Sequence, residues 1–181
     1  MNNKNRLNYA LSNDDISEYF PDVKITGYDK VKSFHDVNHL LQPFDKVVLL
    51  YRTEAREENS GHWCCIFRSP VDDSINYFDS YGDMLDNKAL EYENDLSFQK
   101  LYGQDRRYLT KLLAKQNDTV RYNHYKLQKY SDNISTCGRW CLLRLLNTHM
   151  NEDEFYETLM QMKREGKYKS LDNMVTNLIR L

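Results

Sequence analysis

The chain has 181 residues, with 25 basic against 27 acidic side chains and a formal net charge of −2. That length fits one domain over residues 1–181, with a core large enough to need neither disulfides nor a metal. The near-balance of charge excludes a long-range field that would draw the chain onto nucleic acid or an anionic membrane, and leaves only local basic patches such as Arg106 and Arg107.

The first six residues are polar, with no apolar segment behind them, and no run approaches the ~18 apolar residues of a membrane span. The expectation is a soluble intracellular protein with reduced thiols and no membrane partner. Ser12, with Asp15 three residues on, fits a capping box, so a short helix is expected up to about Phe20, ahead of Pro21. Residues 33–42 suggest another short helix, closed by Pro43. Val47, Val48, Leu49 and Leu50 make residues 46–52 a strand. Residues 54–60 read as a charged turn.

Residues 62–68 and 74–80 read as two strands joined by a turn at Pro70–Asp73. His62, Cys64 and Ile66 point one way, and Trp63, Cys65 and Phe67 the other. Bulky groups on both faces place such strands in the middle of a covered sheet. Residues 97–116 read as one long helix with Phe98, Leu101, Leu109, Leu112 and Leu113 on its apolar side. Residues 119–128 suggest a further strand. From Cys137 the chain is apolar almost all round through Leu146, as in a buried helix, and two more helices follow near 151–164 and 170–180. The sum is an α+β fold: a central sheet with helices packed around it.

Three segments carry chemistry: Gly61-His62-Trp63, Phe78-Asp79-Ser80, and Ser135 through Trp140. A thiol peptidase needs a thiolate, a base within hydrogen-bond reach and a group that holds the base. Cys137 sits where a loop enters a helix, so free N–H groups and the helix dipole favour its thiolate. Gly138 removes a side chain where a substrate backbone approaches, and its amide and that of Cys137 suit an oxyanion hole. His62 and Asp79 face each other if their strands pair antiparallel in the right register.

His62-Trp63, then Asp79 seventeen residues on, then Gln128 before Thr136-Cys137-Gly138-Arg139-Trp140, resembles the adenain and SUMO-protease superfamily of cysteine proteases. The block from Leu127-Gln128 to Trp140 is most similar to the capsid maturation proteases of adenoviruses, polintons, virophages and giant DNA viruses, the mavirus-type protease among them. The likeness spans roughly residues 45–148. It implies an adenain-like fold, with a mixed central sheet and a buried helix starting at the nucleophile. It also implies a catalytic set of His62, Asp79, Gln128 and Cys137, with Trp63 and Gly138 beside the substrate and no cofactor or metal. Cleavage of viral capsid precursors at Gly-containing sites, in the virion and the host-cell cytoplasm, would follow, with activation by a peptide or DNA left open. In the family the glutamine lies closer to the cysteine than the nine residues separating Gln128 from Cys137 here. Asn133, in the intervening loop, is the competing amide.

Plainer readings stand beside these. Taken alone, Cys137 reads as a buried small hydrophobe, as do Cys64, Cys65 and Cys141. Trp63 reads as a wall beside the site, and Asp79 as a turn partner of Gly82. His35 and His39 have zincin-like spacing, but Asp36 stands where the general-base glutamate belongs and no third ligand is evident. The alternatives in function are a protease acting on a ubiquitin-like modifier and a non-catalytic binding protein that kept the fold.

Overall fold

The computed structural model describes residues 3–53, 61–87, 96–115 and 117–180. The charged turn expected at 54–60, and Gln116 at the end of the expected long helix, lie outside them.

A five-stranded mixed sheet organises the chain. Its strands are β1 (Lys24–Gly27), β2 (Lys46–Arg52), β3 (Gly61–Arg68), β4 (Ile75–Phe78) and β5 (Val120–Tyr122), in that spatial order. β2 runs antiparallel to β3, and β3 to β4, while the outer strands β1 and β5 pair parallel to their neighbours. β3 is therefore the middle strand, and the interior of Gly61–Arg68 is buried on both faces. That is the physical reason for its unbroken apolar run.

Strand alternation divides the interior in two. Val48, Leu50, Trp63, Cys65, Phe67 and Phe78 form one face, covered by α6 (Cys137–Leu145), α7 (Glu152–Glu165) and α8 (Leu171–Leu178). The other face carries Val47, Leu49, Tyr51, Cys64, Ile66 and Tyr77. It is covered by a 3-10 turn (Tyr28–Ser33), α3 (Val37–Leu41) and α5 (Tyr108–Leu113). The fold is α+β with a central mixed sheet covered by helices, as the residue pattern indicates. α6 is buried along its whole length, Arg139 and Arg144 included. The Arg144 guanidinium lies between the Phe67 and Phe155 rings and donates to the carbonyls of Asn147 and Met150, which satisfies a charge buried in the core.

Near the N-terminus, α1 (Asn3–Asn8) precedes α2 (Asn13–Tyr19), and Ser12 and Asp15 cap α2 reciprocally. The expected helix at 33–42 is shorter. Asp36 accepts from His39 N at 2.8 Å and starts α3, so the aspartate between the two histidines is a helix cap. The expected long helix at 97–116 is two: α4 (Leu96–Leu101) and α5. Gly103, with φ +62°, closes α4, a conformation that costs glycine little. The chain then turns so that the Gln104 side chain bonds both backbone groups of Arg52. The strand expected at 119–128 pairs only through Tyr122, because the Asn123 side chain donates to the Asp79 and Tyr125 carbonyls and draws the chain off the ladder.

Candidate active site

β3 and β4 position the first half of the site. Their ladder pairs Cys65 with Phe78. Carried one step further, this register sets Cys64 opposite Asp79, with His62 at the open end of β3. The Asp79 carboxylate is buried and saturated with donors. Its Oδ2 receives His62 Nε2 at 3.0 Å and the Cys64 thiol at 3.1 Å, and its Oδ1 receives the Tyr81 amide at 2.7 Å. Asp79 also closes the turn to Gly82 through its carbonyl, so the same residue both contacts His62 and makes the turn. The Tyr77 hydroxyl donates to the Cys64 sulfur at 3.3 Å, which leaves the S–H of Cys64 for the carboxylate.

α6 supplies the other half. Cys137 is its first residue, and its thiol is hydrogen-bonded to the His62 ring. Since Nε2 is engaged by Asp79, Nδ1 is the nitrogen left for the sulfur. Burial alone would push the Cys137 thiol up. The hydrogen bond and charge of His62, with the backbone N–H groups of Trp63 and Gly138, outweigh it and lower the thiol below its ordinary value. Burial alone would likewise lower His62. The Asp79 charge, the thiol groups and the hydrogen bonds outweigh it and raise the ring well above its ordinary value. Asp79, against its burial, is lowered by His62, Cys64 and the Tyr81 amide. All three directions favour a thiolate–imidazolium pair over a buried carboxylate. Cys64, close by, is pushed the other way, to about 12, chiefly by burial and then by Asp79. It stays a thiol and a donor.

Gly138 and Trp63 border this pair. A Cβ on Gly138 would meet the Leu11 side chain at 3.0 Å, so the N-terminal segment packs closely on this glycine and would have to give by a few tenths of an ångström to admit a side chain. The Trp63 indole is buried and donates to the Leu11 carbonyl at 2.9 Å. Its N–H is thus engaged within the fold.

Over 147 residues the chain is 40% identical to the uncharacterized protein V9 of Sputnik virophage, an alignment covering 81% of each. The chain belongs to the family of Sputnik virophage protein V9. No family model matches it. Two crystal structures of the ASFV pS273R protease superpose on it with TM-scores of 0.42 and 0.45, at 15% and 16% identity, covering 97% of this chain and 70% of that one.

In this V9 relative, Gln128 is buried beside the site. Its Oε1 accepts from the Ser80 hydroxyl at 2.8 Å, and its Nε2 donates to Tyr81 Oη at 3.0 Å and to the Ile134 carbonyl at 3.2 Å. Asn133 is exposed in the loop. His35 and His39 stack on each other away from these residues, with ring centroids 5.7 Å apart. Among the described residues, the one cluster with metal-ligand atoms close together is His62, Cys64 and Asp79. Hydrogen bonds fill the contacts to the shared oxygen of that cluster.

Three residues around the site escape a reading of motifs. Cys64 was legible only as core, although its place two residues after His62, facing Asp79, was a usable signal. Tyr81, two residues after Asp79, stacks on the His62 ring. Asp172, in the C-terminal helix, offers no local signal at all. Its buried carboxylate accepts from the Thr136 hydroxyl at 2.6 Å, the Lys129 amide at 3.0 Å and the Trp140 indole at 3.4 Å.

Proposed function

We propose that this protein is a cysteine endopeptidase that processes viral capsid precursors. The observation that carries the reading is the continuous chain Cys137–His62–Asp79, with His62 Nε2 at 3.0 Å from Asp79 Oδ2 and the same ring bonded to the Cys137 thiol. In this reading His62 takes the thiol proton, and the sulfur attacks the scissile carbonyl carbon. The oxyanion forms against the Cys137 amide and an N–H of Gln128, which gives up its bond to the Ile134 carbonyl as substrate binds. The imidazolium then protonates the leaving amine. His62 next deprotonates a water that cleaves the thioester, releasing the acid and restoring the thiol. Asp79 keeps the ring in the required tautomer and stabilises its charge throughout.

Kinship with a virophage protein supports a viral substrate, with action in the virion and host-cell cytoplasm. The sequence likeness to capsid maturation proteases, including the mavirus-type enzymes, supports cleavage at Gly-containing sites and leaves a peptide or DNA activator open. Among the described residues no helix is long and apolar enough to cross a membrane. The test incubates the protein, and a Cys137→Ala variant, with the capsid protein of the same genome, and locates cuts by mass spectrometry. Cleavage next to glycine by the wild type alone is expected. Cleavage that persists in Cys137→Ala overturns the reading.

A further inference from the structure

α6 begins without a side-chain cap. Its N-cap residue is Thr136, a residue type that ordinarily turns its hydroxyl back to accept from an N–H of the first turn, and no such bond forms here. The Thr136 hydroxyl instead donates to Asp172 Oδ1 at 2.6 Å, a short bond with a carboxylate in the interior. The hydroxyl proton is committed to Asp172, and the oxygen that carries it accepts from no N–H of the first turn. Asp172 is anchored independently of Thr136. It lies in the first turn of α8, where the helix dipole favours an anion, and its Oδ2 takes the Lys129 amide at 3.0 Å. Its Oδ1 also takes the Trp140 indole, one turn into α6, at 3.4 Å. One buried carboxylate thus grips the residue after Gln128, the residue before Cys137, and the helix that Cys137 starts.

We propose that Asp172 is a positioning residue for the nucleophile: by holding the Thr136 hydroxyl off the start of α6, it leaves the Gly138 N–H and the positive end of that helix to the sulfur of Cys137. The inference rests on the peptidase reading. The Gly138 N–H already serves the sulfur, and a threonine oxygen turned inward would compete for first-turn donors and partly neutralise the positive end of the helix. The interaction is indirect. Asp172 acts through Thr136 and through the placement of Lys129, and it does not contact the reacting atoms.

The test measures the rate of Cys137 alkylation by iodoacetamide against pH, with the modified residue located by mass spectrometry. The full-length chain is compared with Asp172→Ala, Thr136→Val and the double variant. The groups that interact with the sulfur (His62, Tyr81, Arg139 and Cys141) are the same in all four. In Asp172→Ala the hydroxyl is free to cap α6, and the reactivity limb moves up by about half to one pH unit. Thr136→Val lacks the hydroxyl, keeps the first-turn donors free and leaves the limb where it is. The double variant returns to the wild-type limb, although it is less stable than either single variant. A purely structural Asp172 gives the opposite pattern, with the double variant further from wild type than Asp172→Ala, and that result overturns the proposal. An unchanged limb in folded Asp172→Ala overturns it too. If Asp172→Ala does not fold, Thr136→Val alone decides: a shifted limb there means the hydroxyl was acting on the helix, and the proposal fails. An ordinary thiol profile at Cys137 in the wild type is seen before any variant is compared, and it overturns the peptidase reading and this proposal with it.

Discussion

Tyr81 lies flat over the His62 imidazole, with ring centroids 4.9 Å apart and planes 19° from parallel. Its hydroxyl accepts from Gln128 Nε2. One tyrosine therefore both shields the base from water and holds the amide proposed for the oxyanion. The two roles separate by substitution. Tyr81→Phe keeps the stack, so Cys137 alkylation stays at the wild-type rate while turnover changes through Gln128. Tyr81→Ala exposes the ring, and water then competes for the pair. Alkylation near neutral pH should fall roughly tenfold, a change worth ~1.4 kcal/mol. Equal alkylation in the two variants would show that the stack is idle.

Asp79→Asn should keep the fold and lose most of the turnover. Among the described residues, the hydrogen bonds to the Asp79 carboxylate come from donors: His62 and Cys64 on Oδ2, and the Tyr81 amide on Oδ1. An amide must turn its NH2 toward one of these sides, and if it faces His62 it selects the wrong tautomer. A loss in kcat approaching ~10⁴ is expected, as for the equivalent change in a Ser-His-Asp triad. Peptide hydrolysis measured beside circular dichroism checks it, and near-normal kcat in a folded variant counts against Asp79 as the orienting group.

The site also makes stability depend on pH. His62 is raised well above 6.5 because its partners outweigh its burial. Its contribution is complete below about 6.5 and is lost as pH rises through the raised value. Asp79 is lowered below 3.8, so its contribution is present above about 3.8 and is lost as pH falls through the lowered value. The Tm difference between wild type and Asp79→Asn should therefore be largest between about pH 4 and 6.5. Thermal melts across pH 3–9 would show it. A difference that grows steadily on the alkaline side would contradict the assignment.

Gln128→Ala should cut kcat by about 10²–10³, as loss of one oxyanion donor does elsewhere, and leave Cys137 alkylation unchanged. Asn133→Ala should leave kcat within about twofold, since a buried donor held by Ser80 and Tyr81 is far better preorganised than an exposed loop amide. Steady-state kinetics on both variants decide between them. A large loss in Asn133→Ala alone would move the oxyanion role to the loop.

Much of the fold was legible because local signals agreed with their surroundings. The Ser12–Asp15 capping box, the β2 and β3 runs and the apolar stretch after Cys137 all read correctly, each being set by its own residues. The misreadings have local causes of another kind. At 97–116 an apolar periodicity ran across Gly103, whose left-handed backbone ends α4 and sends Gln104 to β2. Beyond Tyr122, strict alternation predicted one face for His124, Lys126 and Gln128. The chain instead leaves the ladder at Asn123, and only Gln128 of those three is buried. β1 carries no strong apolar run and was not anticipated, because a four-residue edge strand takes its order from β2.

By itself the sequence determined which residue types were available for chemistry, their order along the chain, and the two-faced burial of β3, because side-chain alternation is a property of the strand's own covalent geometry. Only the tertiary structure decided that Cys64 and Tyr81 belong to the site, and that a carboxylate 35 residues beyond Cys137 holds the start of its helix. Such contacts depend on strand register and helix docking. Those are fixed by the summed packing of both faces of the sheet, and no short stretch of sequence encodes that sum.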